Sequence, residues 1–181
     1  MIDEAPLERT EAGLVPRGEG WFVVNARDAR WLEHDTFGSG TSFEGEPPFR
    51  QLGINISVLQ PGQPSCLYHR ENAEEDFLVL FGECLLLVEG HERSLRAWDF
   101  VHCPPGTNHV FVGAGDGPCA FVAVGFRPSE EDDEIVYPVD EIALKHGAGV
   151  ETEAPNPREA YAAYERPAPR RYAGELDSFG A

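Results

Sequence analysis

Two stretches of the chain decide its fold: Pro61-Gly-Gln-Pro-Ser-Cys-Leu-Tyr-His-Arg-Glu-Asn-Ala-Glu-Glu-Asp-Phe-Leu-Val-Leu-Phe-Gly82 and Asp99-Phe-Val-His-Cys-Pro-Pro-Gly-Thr-Asn-His-Val-Phe111. The first places a histidine and carboxylates ahead of an apolar run that ends at a glycine. The second leads from a Pro-Pro-Gly turn through a histidine into another apolar run. Because glycine and proline mark turns between short strands, the pattern predicts short β-strands with a histidine and carboxylates close to their turns.

The strand pattern continues on both sides of these stretches. Between residues 53 and 59, Ile54, Ile56 and Val58 share one face at a period of two, which predicts a half-buried strand. Further strands are predicted over residues 76–80, 83–88, 93–96, 100–103, 109–112 and 119–126. Short strands separated by glycine and proline turns are typical of a sandwich or a jelly-roll barrel.

The first stretch resembles the first sequence motif of the cupin superfamily. That motif is a glycine, five residues, His-x-His, three or four residues, a glutamate, six residues and a glycine. Gly62, His69, Glu75 and Gly82 resemble it, although six residues rather than five separate Gly62 from His69. Glu71 stands where the family has its second histidine.

The second stretch resembles the second cupin motif, which contains Pro-x-Gly, two residues and a histidine. Pro104, Gly106 and His109 match these positions, whereas Trp98 replaces the motif's opening glycine and Gly113 its closing asparagine. The resemblance covers residues 54–126. It implies an all-β fold, a double-stranded β-helix or cupin jelly-roll barrel with short flanking helices.

The resemblance also implies a metal site. Its ligands would be His69, Glu71, Glu75 and His109, and two imidazoles with one or two carboxylates suit a divalent transition metal such as Zn, Fe, Mn or Ni. Side chains alternate along an extended segment, so His69 and Glu71 can point the same way. Glu71 has three open roles: it replaces the histidine as a ligand, it acts as a catalytic base, or it is a solvated turn residue.

Three functions are compatible with such a site. A metal-dependent enzyme would bind a small polar or acidic organic molecule at the barrel mouth, and the family supports isomerases, dioxygenases and decarboxylases. The alternative is a non-catalytic cupin that binds or senses a small ligand. In a third interpretation the barrel is only the scaffold of an oligomer. The fold alone cannot choose among them.

Composition restricts the partners. The chain has 181 residues, 41% of them hydrophobic, and a formal net charge of −18, which predicts one compact domain and excludes nucleic acid and anionic membranes as partners. No apolar run approaches the roughly 18 residues of a membrane-spanning helix, and the first residues lack a signal pattern, so we expect a cytoplasmic protein. The four cysteines, Cys66, Cys84, Cys103 and Cys119, are expected to be small buried side chains without disulfides.

The chain is expected to divide into three parts. Residues 1–50 would form an N-terminal arm with a short strand at 21–24 and a helix over 26–33 capped by Asn25. Residues 51–127 would form the cupin barrel core. Residues 128–181 would form an acidic, proline-rich extension with an acidic stretch at 129–134 and short helices over 138–146 and 156–164.

Several exposed or aromatic side chains complete the expectations. We expect a homodimer anchored by Trp21, Phe22 and Tyr161 in the extensions. His102 is assigned to the core or the surface rather than to catalysis. Core packing is expected of Trp98 and of the three phenylalanines Phe77, Phe81 and Phe111.

Overall fold

The computed structural model describes residues 1–129 and 134–177. Most of the predicted acidic stretch, residues 130–133, therefore lies outside the described residues. The strands are β1 Leu7–Thr10, β2 Gly13–Pro16, β3 Arg30–His34, β4 Gly38–Ser42, β5 Leu52–Leu59, β6 Arg70–Glu71, β7 Glu75–Phe81, β8 Glu83–Val88, β9 His91–Arg96, β10 Phe100–Cys103, β11 His109–Ala114, β12 Cys119–Phe126, β13 Ile135–Val136 and β14 Ala168–Arg170. The helices are α1 Glu141–Lys145 and α2 Pro157–Ala160.

Two antiparallel sheets form the body of the molecule. The larger has the strand order β10-β7-β12-β5-β4-β3-β14, and the smaller has the order β11-β8-β9. Inward side chains of both sheets meet in one core, where the Phe111 ring stacks on Phe121 at 4.6 Å and approaches Phe77 at 4.7 Å between ring centroids. The prediction of an all-β jelly-roll barrel with short flanking helices is thus confirmed.

The predicted barrel strands are all present. The bounds of β8, β10 and β12 are those expected, and β5, β7, β9 and β11 are one or two residues longer than predicted. In β7, the alternation directs Phe77 and Val79 into the core, and both are buried. The period-two pattern therefore identified the buried face of β7.

The N-terminal 50 residues differ from the expectation. The predicted helix over residues 26–33 is wrong, because Asn25 caps only a single turn, with its Oδ1 accepting a hydrogen bond from the Arg27 amide at 2.9 Å. Strand β3 begins at Arg30 and pairs with β4 and β14. Its Trp31 is fully buried and donates from Nε1 to the Ala26 carbonyl at 2.9 Å. Pairing and burial thus outweigh the local helix signal.

Other N-terminal elements were missed or misplaced. The predicted strand at 21–24 is wrong, since Trp21 forms only an isolated bridge with Glu4 and Val23 is exposed. The segment instead contains the hairpin β1–β2, and β3 and β4 extend the large sheet of the barrel. The first 50 residues therefore form four strands instead of the expected arm with one strand and one helix.

Trp98 does not pack in the core. Its side chain is 75% exposed and its backbone has φ +76°, in the turn between β9 and β10. The turn is closed by the Asp99 amide, which donates to the Arg96 carbonyl at 3.0 Å. The expectation for Trp98 is wrong because the turn directs the ring into solvent, whereas Phe77 and Phe111 are core residues as expected.

Two short helices lie in the C-terminal extension, as predicted. Asp140 caps α1 by accepting from the Ala143 amide at 2.8 Å, and Gly147, at φ +68°, follows the helix. Asn156 caps α2 by accepting from the Glu159 amide at 3.0 Å. Both helices are shorter than expected, and the extension also contributes β13, which pairs with β6, and β14.

Among the described residues, the cysteines are free thiols, and Cys84, Cys103 and Cys119 are buried while Cys66 is half-buried. No helix in the described part of the chain is long and apolar enough to cross a membrane.

Candidate functional site

His69 and His109 lie directly opposite each other at one end of the barrel. They form an antiparallel bridge in which the His109 amide donates to the His69 carbonyl at 2.8 Å and the His69 amide returns a bond at 3.2 Å. The ring centroids are 5.1 Å apart. The bridge joins the segment before β6 to the start of β11, so residues 40 positions apart in sequence present their imidazoles together.

Main-chain carbonyls fix the orientation of both rings. His69 Nδ1 lies 2.8 Å from the Leu67 carbonyl oxygen, and His109 Nδ1 lies 3.1 Å from that of Thr107. A carbonyl can only accept, so each Nδ1 carries the proton and donates it. Each Nε2 of the neutral ring is then left with a free lone pair, which is the arrangement typical of metal-ligating histidines.

Glu75, the first residue of β7, brings a carboxylate to the same place. Its Oε2 lies 3.3 Å from His109 Nε2. Gly125 of β12 is its partner in the register, and a Cβ built on Gly125 would lie 3.7 Å from Glu75 Oε1. One potential ligand atom from each of His69, Glu75 and His109 lies within 4.8 Å of the other two. These residues form the three-residue cluster.

Glu71 contacts this cluster from the side of the solvent. Its Oε1 lies 3.4 Å from His69 Nε2, and its side chain is 21% exposed. Glu71 also lines a cavity of about 250 Å³ together with Arg70 and Asn72 of the same segment and Gly106 of the Pro-Pro-Gly turn. This cavity is called the barrel mouth below. Glu71 is the residue that both lines the cavity and contacts the cluster, since His69, Glu75 and His109 are not among the lining residues.

Burial and mutual charge shift the pKa values of the cluster. Burial, together with repulsion from Glu71, raises the pKa of Glu75 to about 7. Burial and the neighbouring His69 lower the pKa of His109 to about 4, so this imidazole is neutral at pH 7. Burial opposes protonation of His69 as well, but Cys66, Glu71 and Glu75 outweigh it and raise the pKa of His69 well above its usual value.

The C-terminal extension supplies one wall of the site, which the sequence did not predict. Tyr137 follows β13 and stacks on His69 with 5.6 Å between centroids, and it is buried. From below, Phe77 meets His109 edge to face at 5.3 Å. The Ile-Val-Tyr run at residues 135–137, apolar after an acidic stretch, is the only sequence signal that pointed to this wall.

A second group of potential ligands is exposed. It consists of Glu74, Asp76 and His102, and His102 Nδ1 lies 2.8 Å from Asp76 Oδ1 on the outer face of the large sheet. His102 is thus a surface residue, which is one of the two positions expected of it. Exposed carboxylates pair with a histidine here without any enclosing cavity.

The three-residue cluster fits a transition-metal ion. Two atoms that each lie about 2.1 Å from one ion are separated by about 3.0 to 3.4 Å. The 3.3 Å between Glu75 Oε2 and His109 Nε2 falls in that range and exceeds the roughly 2.7 to 2.9 Å of a charge-assisted hydrogen bond. The nitrogen and oxygen donors are those of Zn, Fe, Mn or Ni sites. The ligand roles of His69, Glu71, Glu75 and His109 remain predictions that this geometry supports.

Comparison with known proteins agrees with the fold. Residues 55–125 match the family model described as the cupin domain. An uncharacterized protein of Methanocaldococcus jannaschii is 25% identical over 81 residues, which span 44% of this chain and 65% of that protein. This chain therefore covers less than two thirds of that relative's length.

Solved structures include matches to the same barrel. The polyketide cyclase RemF from Streptomyces resistomycificus has a TM-score of 0.50 at 17% identity, over 61% of this chain and 88% of that one. A sugar phosphate isomerase from the cupin superfamily of Silicibacter pomeroyi has a TM-score of 0.46 at 27% identity, over 65% and 74% of the two chains. With its two motifs, its jelly-roll barrel and the family match, this chain contains a cupin domain over residues 55–125.

Proposed function

We propose that this protein is a metal-dependent cupin enzyme that acts on a small polar or acidic organic molecule. His69, Glu75 and His109 would hold a divalent transition metal. The observation that carries the proposal is that both imidazoles are anchored through Nδ1, while one ring nitrogen of each histidine and one carboxylate oxygen of Glu75 lie within 4.8 Å of one another.

The chemistry divides between the ion and the chain. When bound, the ion would act as a Lewis acid toward a carbonyl or enediol oxygen in an isomerase or decarboxylase type of reaction, or would bind dioxygen in a dioxygenase type. Glu71 would hold or accept a proton at Oε1, because it lies between His69 and the barrel mouth. Tyr137 and Phe77 exclude water from two sides of the imidazoles.

A second function is favoured by the position of Glu71. With Oε1 only 3.4 Å from His69 Nε2, Glu71 needs little movement to become a fourth ligand. A closed four-ligand site is typical of structural metals, whereas catalytic sites keep an open position. In that case the protein would bind or sense a small ligand without turnover.

Metal analysis followed by a ligand screen tests the proposal. The protein would be purified without metal-affinity resin, analysed for bound elements, and then incubated with small hydroxy acids and keto acids. A stoichiometric transition metal with turnover supports the enzyme, and the metal with binding but no turnover supports the sensing alternative. Protein that contains no metal and takes none up from Zn²⁺, Mn²⁺, Fe²⁺ or Ni²⁺ would overturn both.

The role of Glu71 is tested by two substitutions. If Glu71 is a ligand, Glu71→Ala should weaken Zn²⁺ binding by about tenfold, which is less than the loss of a histidine, because the converging cluster of His69, Glu75 and His109 stays intact. Glu71→His should restore the usual family ligand set and keep the metal. Titration of each metal-free variant measures these affinities. Unchanged affinity in Glu71→Ala would remove the ligand role, and lost turnover with unchanged affinity would identify Glu71 as the base.

Metal affinity should depend on pH in the neutral range. In the metal-free protein the pKa of Glu75 is about 7, so below pH 7 its carboxyl is protonated and a metal ion must displace that proton. Affinity for Mn²⁺ should therefore rise at least tenfold between pH 6 and pH 8, because Glu75 alone accounts for a factor of about ten and His69, whose pKa is also raised, must lose a proton as well. Isothermal titration in buffers of matched ionic strength measures it. The Glu75→Gln variant should show a shallower dependence, and a flat profile in the original protein would contradict the prediction.

A homodimer remains part of the proposal, but the surface proposed for the subunit contact differs from the one expected from the sequence. Tyr161 is not free to anchor a second subunit, because its hydroxyl accepts a bond from the Leu67 amide of its own chain at 2.9 Å. The outer face of the large sheet instead exposes apolar side chains, among them Leu52, Ile54 and Phe100. We expect Phe100→Glu to shift the mass from dimer to monomer in light scattering at micromolar concentration. A monomeric original protein would count against the dimer.

A further inference from the structure

A groove of about 910 Å³ lies on the C-terminal side of the barrel, outside the mouth described above. It runs between the loop that joins β3 to β4 and the segment 157–167 of the extension. Its lining includes Phe37, Tyr161, Tyr164, Arg158 and Arg166. We propose that this groove is a binding site for a small aromatic carboxylate.

The floor of the groove is a cluster of aromatic rings. Phe37 lies 4.9 Å from Tyr164 and meets Tyr161 edge to face at 5.4 Å between centroids. His34 packs against Phe37 at 4.7 Å. Rings in such tilted and edge-to-face contacts leave faces and edges on which another planar ring can pack. The floor therefore selects an aromatic group over a flexible aliphatic one.

Two arginines place positive charge at the rim of the groove. Arg158 and Arg166 line it together with one carboxylate, that of Glu165, and all three side chains are exposed. Neither arginine forms an ion pair with any residue of the described ranges 1–129 and 134–177, so the charged lining is positive on balance. The chain as a whole carries −18, with only 14 lysines and arginines against 32 acidic residues. Two arginines beside one aromatic groove thus create a local site for an anion, and a guanidinium binds a carboxylate with two parallel hydrogen bonds.

The groove is separate from the metal cluster. It approaches His69 through Cys66, whose Sγ lies 3.7 Å from His69 Nδ1, the edge of the ring that faces away from Glu71. The metal ligands converge on Nε2, the opposite edge. A molecule in the groove therefore reaches neither Glu75 nor the barrel mouth, and the site does not depend on the proposed metal function.

The test uses the fluorescent carboxylate 2-naphthoate and the full-length protein stripped of metal with EDTA. We expect saturable one-to-one binding, with at least tenfold weaker binding of the neutral 2-naphthamide and of the non-aromatic cyclohexanecarboxylate. Equal binding of 2-naphthoate and its amide would overturn the charge argument, and no saturable binding of 2-naphthoate would overturn the proposal.

Variants locate the site. Arg158→Gln and Arg166→Gln should each weaken 2-naphthoate binding about tenfold, whereas Arg93→Gln, which changes an exposed arginine on β9, should leave it unchanged. All three side chains are exposed, so the fold should persist, and circular dichroism checks this. His109→Ala should bind 2-naphthoate normally even with its metal site destroyed. Binding that depends on His109 but not on the two arginines would place the probe at the metal site and overturn the proposal.

Discussion

Replacing His109 by alanine should lower the affinity for Zn²⁺ or Mn²⁺ by about 100-fold or more while the barrel stays folded. The imidazole is 3% exposed and supplies one of three converging ligand atoms, so its removal leaves an undersized ligand set. Altering even an outer partner of a metal ligand typically costs 10 to 100-fold in affinity, and the loss of a ligand should exceed that. His69→Ala should have an effect of the same size.

The measurement is a metal titration of each metal-free variant, with circular dichroism to verify the fold. His102→Ala is the matched control, because His102 pairs with Asp76 on the surface and belongs to the exposed group. We expect its affinity to equal that of the original protein. If His69→Ala and His109→Ala bind metal as tightly as His102→Ala does, the three-residue cluster does not hold the metal.

The barrel strands were predictable because patterns between neighbouring residues in the sequence determine them. Alternating apolar residues fix which face of β7 and β12 is buried, and the glycine and proline turns fix where the strands end. The two histidines were singled out because they match the histidine positions of the two cupin motifs. Spacing alone, however, did not show that His69 and His109 would form a backbone bridge, which is what aligns their rings.

The N-terminal strands and the wall over His69 could not be predicted from the sequence, because strand pairing between distant parts of the chain determines them. Residues 26–33 carry a helix signal, but β3 is held by β14, more than 130 residues away in sequence. The wall over His69 depends on β13 pairing with β6, again across a long separation. The sequence identified Glu71 as the departure from the motif. Its role stays open because its Oε1 contacts His69 Nε2 at 3.4 Å, a position from which it can either become a ligand or act as a base.

Trp31→Ala should destabilise the whole barrel by about 3 to 5 kcal/mol, the typical cost of emptying a fully buried tryptophan site. Trp31 is 0% exposed, packs with Val58 of β5 and Ala120 of β12, and meets the Tyr172 ring at 5.5 Å. Removing the indole leaves a cavity between β3 and the outer face of the central strands. The Ala26 carbonyl also loses its hydrogen bond.

This prediction also tests where the folding unit begins. If residues 1–50 were an arm beside an independent barrel, Trp31→Ala would loosen only β3 and its neighbours. Since β3 continues the large sheet through β4 and β5, we expect urea denaturation followed by circular dichroism to show one transition shifted as a whole. Amide exchange in β12 should accelerate with it. Trp98→Ala is the control, because this exposed indole should contribute within about 0.5 kcal/mol. Unchanged exchange in β12 of Trp31→Ala would restore the boundary at residue 51.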